Sequence, residues 1–176
     1  MKFLRTRLEG ACVIELDRLE DERGFFARSF CRDEFAAHGL KASFVQCNIS
    51  FNARRGTLRG LHYQASPYEE AKLVRCTRGA IFDVIVDIRK RSDTYRRWIG
   101  MELTAENRRM LYVPEGFAHG FQTLEDASEG FYQMSDMFRP EASCGVRWND
   151  PALGIDWPLP DPTVSARDSG YLDFIP

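Results

Sequence analysis

Histidine and cysteine, which most often bind metals or form disulfides, are scarce in this sequence. It has three histidines and five cysteines, and no two cysteines form a C-x-x-C pair. The number of cysteines is odd and their spacing is wide, so we expect reduced thiols rather than a disulfide framework. No second ligand lies at the usual zinc spacing from any of them, so a zinc site is not expected either.

Excess charge of one sign and long apolar runs are absent as well. The formal net charge is -2 at pH 7, and lysine and arginine are scattered along the chain. This distribution disfavours both a nucleic-acid stripe and a polybasic membrane patch. No run approaches the roughly 18 apolar residues of a membrane span. The opening MKFLRTRLEGACVIEL also lacks the apolar region and cleavage site of a signal peptide. We therefore predict a cytoplasmic protein with no nucleic-acid or membrane partner.

Alternation of apolar and polar residues is the main pattern that the sequence does contain. In 80–89, AIFDVIVDIR, Phe82, Val84 and Val86 fall on one strand face, whereas Asp83 falls among hydrophobic residues on the other. Seven further segments read as strands: 44–51, 57–64, 72–77, 97–104, 110–114, 118–124 and 130–138.

These short strands predict an all-β fold, an antiparallel sandwich or barrel that includes the jelly rolls. One helix is predicted at 32–40, with Asp33 near its N-terminus and Gly39 at its end. From about residue 140 the sequence is loop-like, and we expect this segment to fold back over the barrel. The length and the 44% hydrophobic content fit one core, so residues 1–176 are predicted to form a single domain.

Two histidines lie in segments with unusual chemistry. His62 lies in 56-GTLRGLHYQ-64, where a bulge at Gly60 would redirect the side chains. An isolated histidine of this kind is more often a hydrogen-bonded core residue. His119 lies in 113-VPEGFAHGF-121, which has the P-x-G-x-x-H pattern of the second cupin motif. A metal-binding cupin also needs an H-x-H pair, because a transition metal requires about three protein ligands. Here G-L-H-Y-Q supplies one histidine, so we predict neither metal nor cofactor.

Nine segments, in order and over nearly the whole chain, together resemble the dTDP-4-dehydrorhamnose 3,5-epimerase family. They are 21–26, 44–50, 58–64, 72–74, 79–89, 113–121, 148–151, 155–158 and 164–168. The resemblance implies a cupin-type double-stranded β-helix, which is a jelly-roll barrel, with a few short helices. It also implies a metal-independent homodimer that acts on a nucleotide sugar.

The reaction that the resemblance implies is a 3,5-epimerisation. The enzyme, an isomerase, converts dTDP-4-dehydro-6-deoxy-D-glucose to dTDP-4-dehydro-L-rhamnose. The chemistry needs a base to remove the proton beside the C4 ketone, a partner for the enolate, and an acid on the opposite face. The main alternative is a mono-epimerase, acting at C3 or C5 only, for a different nucleotide deoxysugar. Phe138 favours that alternative, since many relatives have a second aromatic hydroxyl in its region. A metal-dependent cupin enzyme and a non-catalytic sugar-nucleotide binding module remain further alternatives.

The resemblance also implies which residues act. His62 would be the base, paired with Asp168, while Lys72 would stabilise the enolate and Tyr132 would supply the proton on the far face. Without the resemblance, Asp168 reads as a solvated tail residue and Lys72 as an exposed strand end. The substrate-binding set implied by the same matches is Arg23, Phe26, Arg28, Gln46, Asn48, Arg59, His119 and Arg167.

Four departures from the common family pattern lie outside the catalytic set. Arg28 and Ser143 stand where glutamates are common, Cys47 replaces the aspartate of Q-D-N, and the loop 50–56 is one residue longer. Reversal of a charge in a ligand groove changes which polar groups are well paired. We therefore predict that the chemistry is kept and that the nucleotide or sugar preference has shifted.

Overall fold

The computed structural model describes residues 1–174, and most of its regular structure is β-strand. The strands are β1 Lys2–Arg5, β2 Cys12–Glu15, β3 Leu19–Asp21, β4 Gly24–Phe26, β5 Gln46–Asn52, β6 Thr57–Gln64, β7 Lys72–Arg78, β8 Ala80–Asp87, β9 Trp98–Thr104, β10 Met110–Val113, β11 Phe117–Thr123, β12 Ser128–Met134, β13 Ser143–Gly145 and β14 Thr163–Val164. The helices are α1 Arg32–Ala37, α2 Ala166–Ser169 and a 3-10 turn at Pro140–Ala142. Neither α-helix in this part of the chain is long enough to cross a membrane.

Two antiparallel sheets face each other. The first has the strand order β1-β2-β10-β7-β12-β5, and the second has the order β13-β6-β11-β8-β9. From β5 to β12 the chain passes back and forth between the two sheets, staying in one sheet only at the β8–β9 pair. This connectivity is that of a jelly roll. The all-β, cupin-type prediction is therefore confirmed.

Strand β8, which lies between β11 and β9, is buried on both faces. Ile81 and Ile85 point into the core between the sheets, whereas Val84 and Val86 point to the outer side. That outer side is covered by Val146, Leu153, Ile155 and Trp157, which all follow the 3-10 turn. Burial on both sides explains why hydrophobic residues lie on both faces of 80–89 in the sequence.

The sequence located the barrel strands well but missed the short ones. Strand β6 has the predicted bounds, whereas β12 ends four residues before the predicted position 138. Helix α1 is shorter than predicted, and Gly39 follows it with φ of +72°. The four strands before α1 were not predicted, because each has only three or four residues and most of their side chains are exposed or half-buried.

Candidate active site

A cavity of about 340 Å³ opens at one end of the barrel, between the two sheets. Side chains from β5, β7 and β12 of the first sheet and from β6 and β11 of the second line it. Six residues predicted from the sequence are among them: Arg59, His62, Lys72, His119, Tyr132 and Arg167.

An irregularity in β6 brings Arg59 and His62 to the same cavity. In a regular strand these two residues, three apart, would point to opposite faces. Here the register with β11 shifts: His62 pairs with His119, but Arg59 pairs with Phe121. Gly60 lies at the shift with φ of +120°, and a Cβ there would lie 2.7 Å from the Cα of Gly120. Glycine is therefore needed at this position both for its conformation and for the close approach of the two strands.

His62 forms a close pair with Asp168. Its Nε2 lies 2.8 Å from Oδ1 of Asp168, and the backbone N–H of Gly60 donates to Oδ2 at 3.0 Å. Ser165 caps helix α2 by accepting from the backbone N–H of Asp168, which fixes the position of this carboxylate.

The electrostatics of this pair decide which nitrogen of His62 carries the proton. Burial by itself would raise the pKa of Asp168, but the hydrogen bonds from His62 and Gly60 outweigh it, and the pKa is lowered. An ionised carboxylate only accepts hydrogen bonds, so Nε2 of His62 carries the proton in this pair. The lone pair of the neutral ring is then on Nδ1, which is the atom able to take a proton from a ligand.

Lys72 and Tyr132 come from the sheet that faces His62. Lys72 on β7 pairs in register with Met134, two residues beyond Tyr132 on β12. The Lys72 Nζ donates to Oε1 of Glu70 at 3.0 Å, and both side chains are buried. Burial raises the pKa of Tyr132, and this effect outweighs the opposing charge of Arg59, so its phenol stays protonated at neutral pH. The cavity thus has a histidine with a lone pair on Nδ1 on one sheet and a protonated phenol on the other.

His119 belongs to a second histidine–carboxylate pair. Its Nε2 lies 2.8 Å from Oδ1 of Asp83, whose side chain is completely buried. Sequence reasoning assigned no role to Asp83 or to Glu70. An acidic residue on the apolar face of β8 was the signal for Asp83, whereas Glu70, in the loop before β7, had none.

Within residues 1–174, two arginines in the cavity bond only to neutral groups. Arg59 donates from Nε to Oδ1 of Asn52 at 2.7 Å. Arg167 donates to the hydroxyls of Tyr171 and Ser143 at 2.9 and 2.8 Å. None of the ion pairs found within residues 1–174 involves either guanidinium, so both positive charges are available to an anion such as diphosphate.

Gln46 and Asn48 lie beside the cavity rather than on its lining. Gln46 donates to Oδ1 of Asn48 at 3.1 Å and accepts from the backbone N–H of Phe138 at 3.0 Å. Phe138 lines the cavity. In this chain the two amides therefore support the segment that follows β12.

The remaining predicted residues lie away from this cavity. Arg23 on the β3–β4 turn is paired with Asp21, and Phe26 at the end of β4 is 72% exposed. Arg28 is paired with Glu34 of α1. Arg28 is not among the residues that line this cavity, and the predicted contact of all three residues with a ligand stays a prediction.

The other departures from the family pattern also separate in space. Ser143 lines the cavity and bonds to Arg167, whereas Cys47 is exposed on the outer face of β5. In the described part of the chain, no three His, Cys, Asp or Glu side chains cluster as a metal site. The predicted absence of a metal and the predicted shift in preference stay predictions.

Comparison with known proteins identifies the family. A family model described as dTDP-4-dehydrorhamnose 3,5-epimerase matches residues 5–174. The chain belongs to this family. A dTDP-4-dehydrorhamnose 3,5-epimerase of Methanothermobacter thermautotrophicus is 46% identical to this family member over 173 residues, which are 97% of this chain and 92% of the relative.

Solved structures of the epimerase family superpose closely on this member. The Bacillus anthracis enzyme, with TDP and PPi bound, is 40% identical and has a TM-score of 0.95, covering 98% of this chain and 99% of its own. A Legionella pneumophila enzyme in complex with dTDP-4-keto-L-rhamnose is 38% identical with a TM-score of 0.91, covering 98% and 92%. This chain therefore has the cupin-like jelly-roll fold of the epimerases.

Proposed function

We propose that this protein is an isomerase that epimerises dTDP-4-dehydro-6-deoxy-D-glucose at C3 and C5 to give dTDP-4-dehydro-L-rhamnose. The observation that carries the proposal is the cavity between the sheets, where the His62–Asp168 pair lies on one sheet and Tyr132 on the facing sheet. Epimerisation requires this arrangement, since a proton must leave one face of the carbon and return to the other.

Each group has a defined task in the proposed mechanism. The Nδ1 atom of His62 removes the proton beside the ketone, and Asp168 stabilises the imidazolium that forms. The ammonium of Lys72 stabilises the enolate oxygen. Tyr132 then donates its proton to the opposite face.

The second proton transfer uses the same groups. C3 and C5 both lie next to the C4 ketone, so an enolate can form on either side of it. Before the second carbon reacts, His62 gives its proton to solvent and Tyr132 takes one up from solvent, and the sugar shifts or turns in the cavity so that the same base and acid serve that carbon. The arginines Arg59 and Arg167 hold the diphosphate during both steps. Full-length relatives named 3,5-epimerases do not favour the mono-epimerase alternative, although Phe138 does line the cavity.

A homodimer is part of the proposal. The β3–β4 hairpin exposes Leu19 and Phe26, and Phe51 of β5 and the preceding Val45 are exposed as well. Apolar patches of this kind are typical of surfaces that meet another protein. A second copy would also explain how Arg23 and Phe26 contact the ligand, because their hairpin does not line the cavity of its own chain.

The five free thiols fit the reducing cytoplasm in which we place the protein.

Proton NMR of dTDP-4-dehydro-6-deoxy-D-glucose in deuterated water tests this function. Wild-type protein should remove both the C3-H and the C5-H signals, while His62→Ala should remove neither. His38→Ala is the matched control, since His38 lies outside the cavity and stacks on Phe3. Exchange at one carbon would establish a mono-epimerase, and exchange at neither carbon by the wild type would contradict the proposal.

A further inference from the structure

The carboxylate of Glu70 is only half satisfied. Its Oε1 accepts from Lys72, but Oε2 is buried and has no hydrogen-bond partner among residues 1–174. Six buried side-chain atoms in these residues lack a partner, and Glu70 is the only one of their residues that lines the cavity. The side chain is 4% exposed, so bulk solvent can supply little hydrogen bonding to it.

An unpaired buried acceptor is costly. Leaving a buried polar group without its hydrogen bond destabilises the protein, and more so when the group is charged. Buried groups of this kind in a native protein have an explanation, which is often a ligand. Glu70 lines the cavity, so a molecule that occupies it can supply the missing donor once the carboxylate turns Oε2 toward it.

The charge distribution shows which part of a nucleotide sugar lies there. A carboxylate repels phosphate oxygens, and the free guanidinium groups belong to Arg59 and Arg167. A carboxylate also accepts without donating, so it selects a hydroxyl over a ketone. The hexose ring offers hydroxyl donors, whereas the diphosphate offers none.

We propose that Glu70 recognises the sugar: its Oε2 accepts a hydrogen bond from a hydroxyl at C2 or C3 of the hexose while its Oε1 holds the ammonium of Lys72. This inference rests on the proposed nucleotide-sugar function. The hydrogen bond to Oε2 makes Glu70 a specificity-determining residue. It also orients the hexose ring, because one hydroxyl is then fixed beside Lys72, the group that stabilises the enolate. Glu70 also opposes loss of the Tyr132 proton, since its charge helps to raise the pKa of that phenol.

Calorimetric binding to stable ligands tests the inference without turnover. The ligands are dTDP, dTDP-glucose and the 2-deoxy and 3-deoxy forms of dTDP-glucose, and the proteins are wild type, Glu70→Gln and Glu69→Gln. Glu69 is the matched control, because it precedes Glu70 and does not line the cavity. Glu70→Gln preserves the shape and an acceptor for Lys72 but presents an amide N–H₂ to the cavity.

We expect Glu70→Gln to weaken the binding of dTDP-glucose about 10-fold, which is the loss of affinity expected for one hydrogen bond to a charged group. Binding of dTDP itself should not change, and one of the two deoxy ligands should bind wild type and variant equally. Glu69→Gln should bind all four ligands as the wild type does. If Glu70→Gln does not fold, Glu70→Asp, which withdraws the carboxylate from the cavity, should show the same pattern.

Three outcomes would overturn the inference. They are an unchanged affinity for dTDP-glucose, an equal loss for dTDP and dTDP-glucose, and a loss that persists with both deoxy ligands. The last would show that Glu70 acts only through Lys72. Failure of the proposed function is a separate result: wild-type protein would leave both C3-H and C5-H in place, whatever the affinities show.

Discussion

At the scale of single residues, the proposed chemistry depends on which nitrogen of His62 is free. The carboxylate of Asp168 accepts from Nε2 and is itself held by Gly60 and Ser165. An amide at this position could donate to Nε2 and thereby stabilise the tautomer with its proton on Nδ1. The base would then carry a proton where it should have a lone pair.

Asp168→Asn should therefore lower kcat/KM for the 4-keto sugar about 10²–10⁴-fold, the usual range for a lost general base. Steady-state kinetics with the coupled reduction of the product provide the measurement. Asp156→Asn is the control, since Asp156 is an exposed residue outside this cavity. An Asp168→Asn enzyme with wild-type kcat/KM would rule out this role.

The same substitution has a pH-dependent effect on stability. The pKa of Asp168 is lower in the folded protein than its ordinary value, so its stabilising contribution is present at neutral pH and disappears as the pH falls through the folded pKa. In urea unfolding, Asp168→Asn should be less stable than wild type at neutral pH. The gap should narrow as the pH falls below about 4. A gap independent of pH would show that the carboxylate charge does not contribute.

At the scale of the element, strand β6 is built around one irregularity. Gly60→Ala would place a Cβ 2.7 Å from the Cα of Gly120 and 2.8 Å from the carbonyl oxygen of His119. Since both neighbours are backbone atoms, the strands must separate, which should cost about 1–3 kcal/mol of stability. Activity should fall as well, because Arg59 and His62 would no longer point into the same cavity.

Thermal unfolding and kcat/KM measure the two effects together. Gly130→Ala in β12 is the control, since a Cβ there meets nothing within 4 Å and its φ is not positive. It should leave both stability and activity close to those of the wild type. A Gly60→Ala protein as stable and active as Gly130→Ala would show that the irregularity is not required.

At the scale of the whole molecule, the proposed homodimer makes a prediction about mixtures. If the β3–β4 hairpin of one copy completes the cavity of the other, the double variant Arg23→Ala/Phe26→Ala should be inactive as a homodimer. Asp168→Asn should also be inactive, through its own defect. A heterodimer of the two would contain one intact site and one doubly defective site.

Equal amounts of the two variants, unfolded and refolded together, should regain about a quarter of the wild-type activity, since half of the dimers are mixed and each has one good site. Each variant refolded alone is the control. Sedimentation must show dimers in every sample. Mixed dimers without regained activity would contradict a hairpin that acts in the partner's cavity.

The local pattern of the sequence was sufficient for the barrel strands. Alternating side chains in segments such as 57–64 and 80–89 reflect burial on defined faces, which is a local property with a period of two. The short strands β1 to β4 carry little such signal, because three or four residues are too few to establish a period. Pairing defines them: β1 pairs with β2, β3 pairs with β4, and β2 also pairs with the distant β10.

The sequence by itself determined the fold class, the family resemblance and the identity of the catalytic candidates, because motifs such as GLHYQ and VPEGFAHGF are contiguous. Only the tertiary structure decided which candidates meet. Asp168 lies 106 residues from His62 in the chain, and the pair forms only because helix α2 folds back against β6. The free oxygen of Glu70 and the separation of Arg23, Phe26 and Arg28 from the cavity likewise depend on long-range packing. Such packing has no local period for a sequence pattern to reveal.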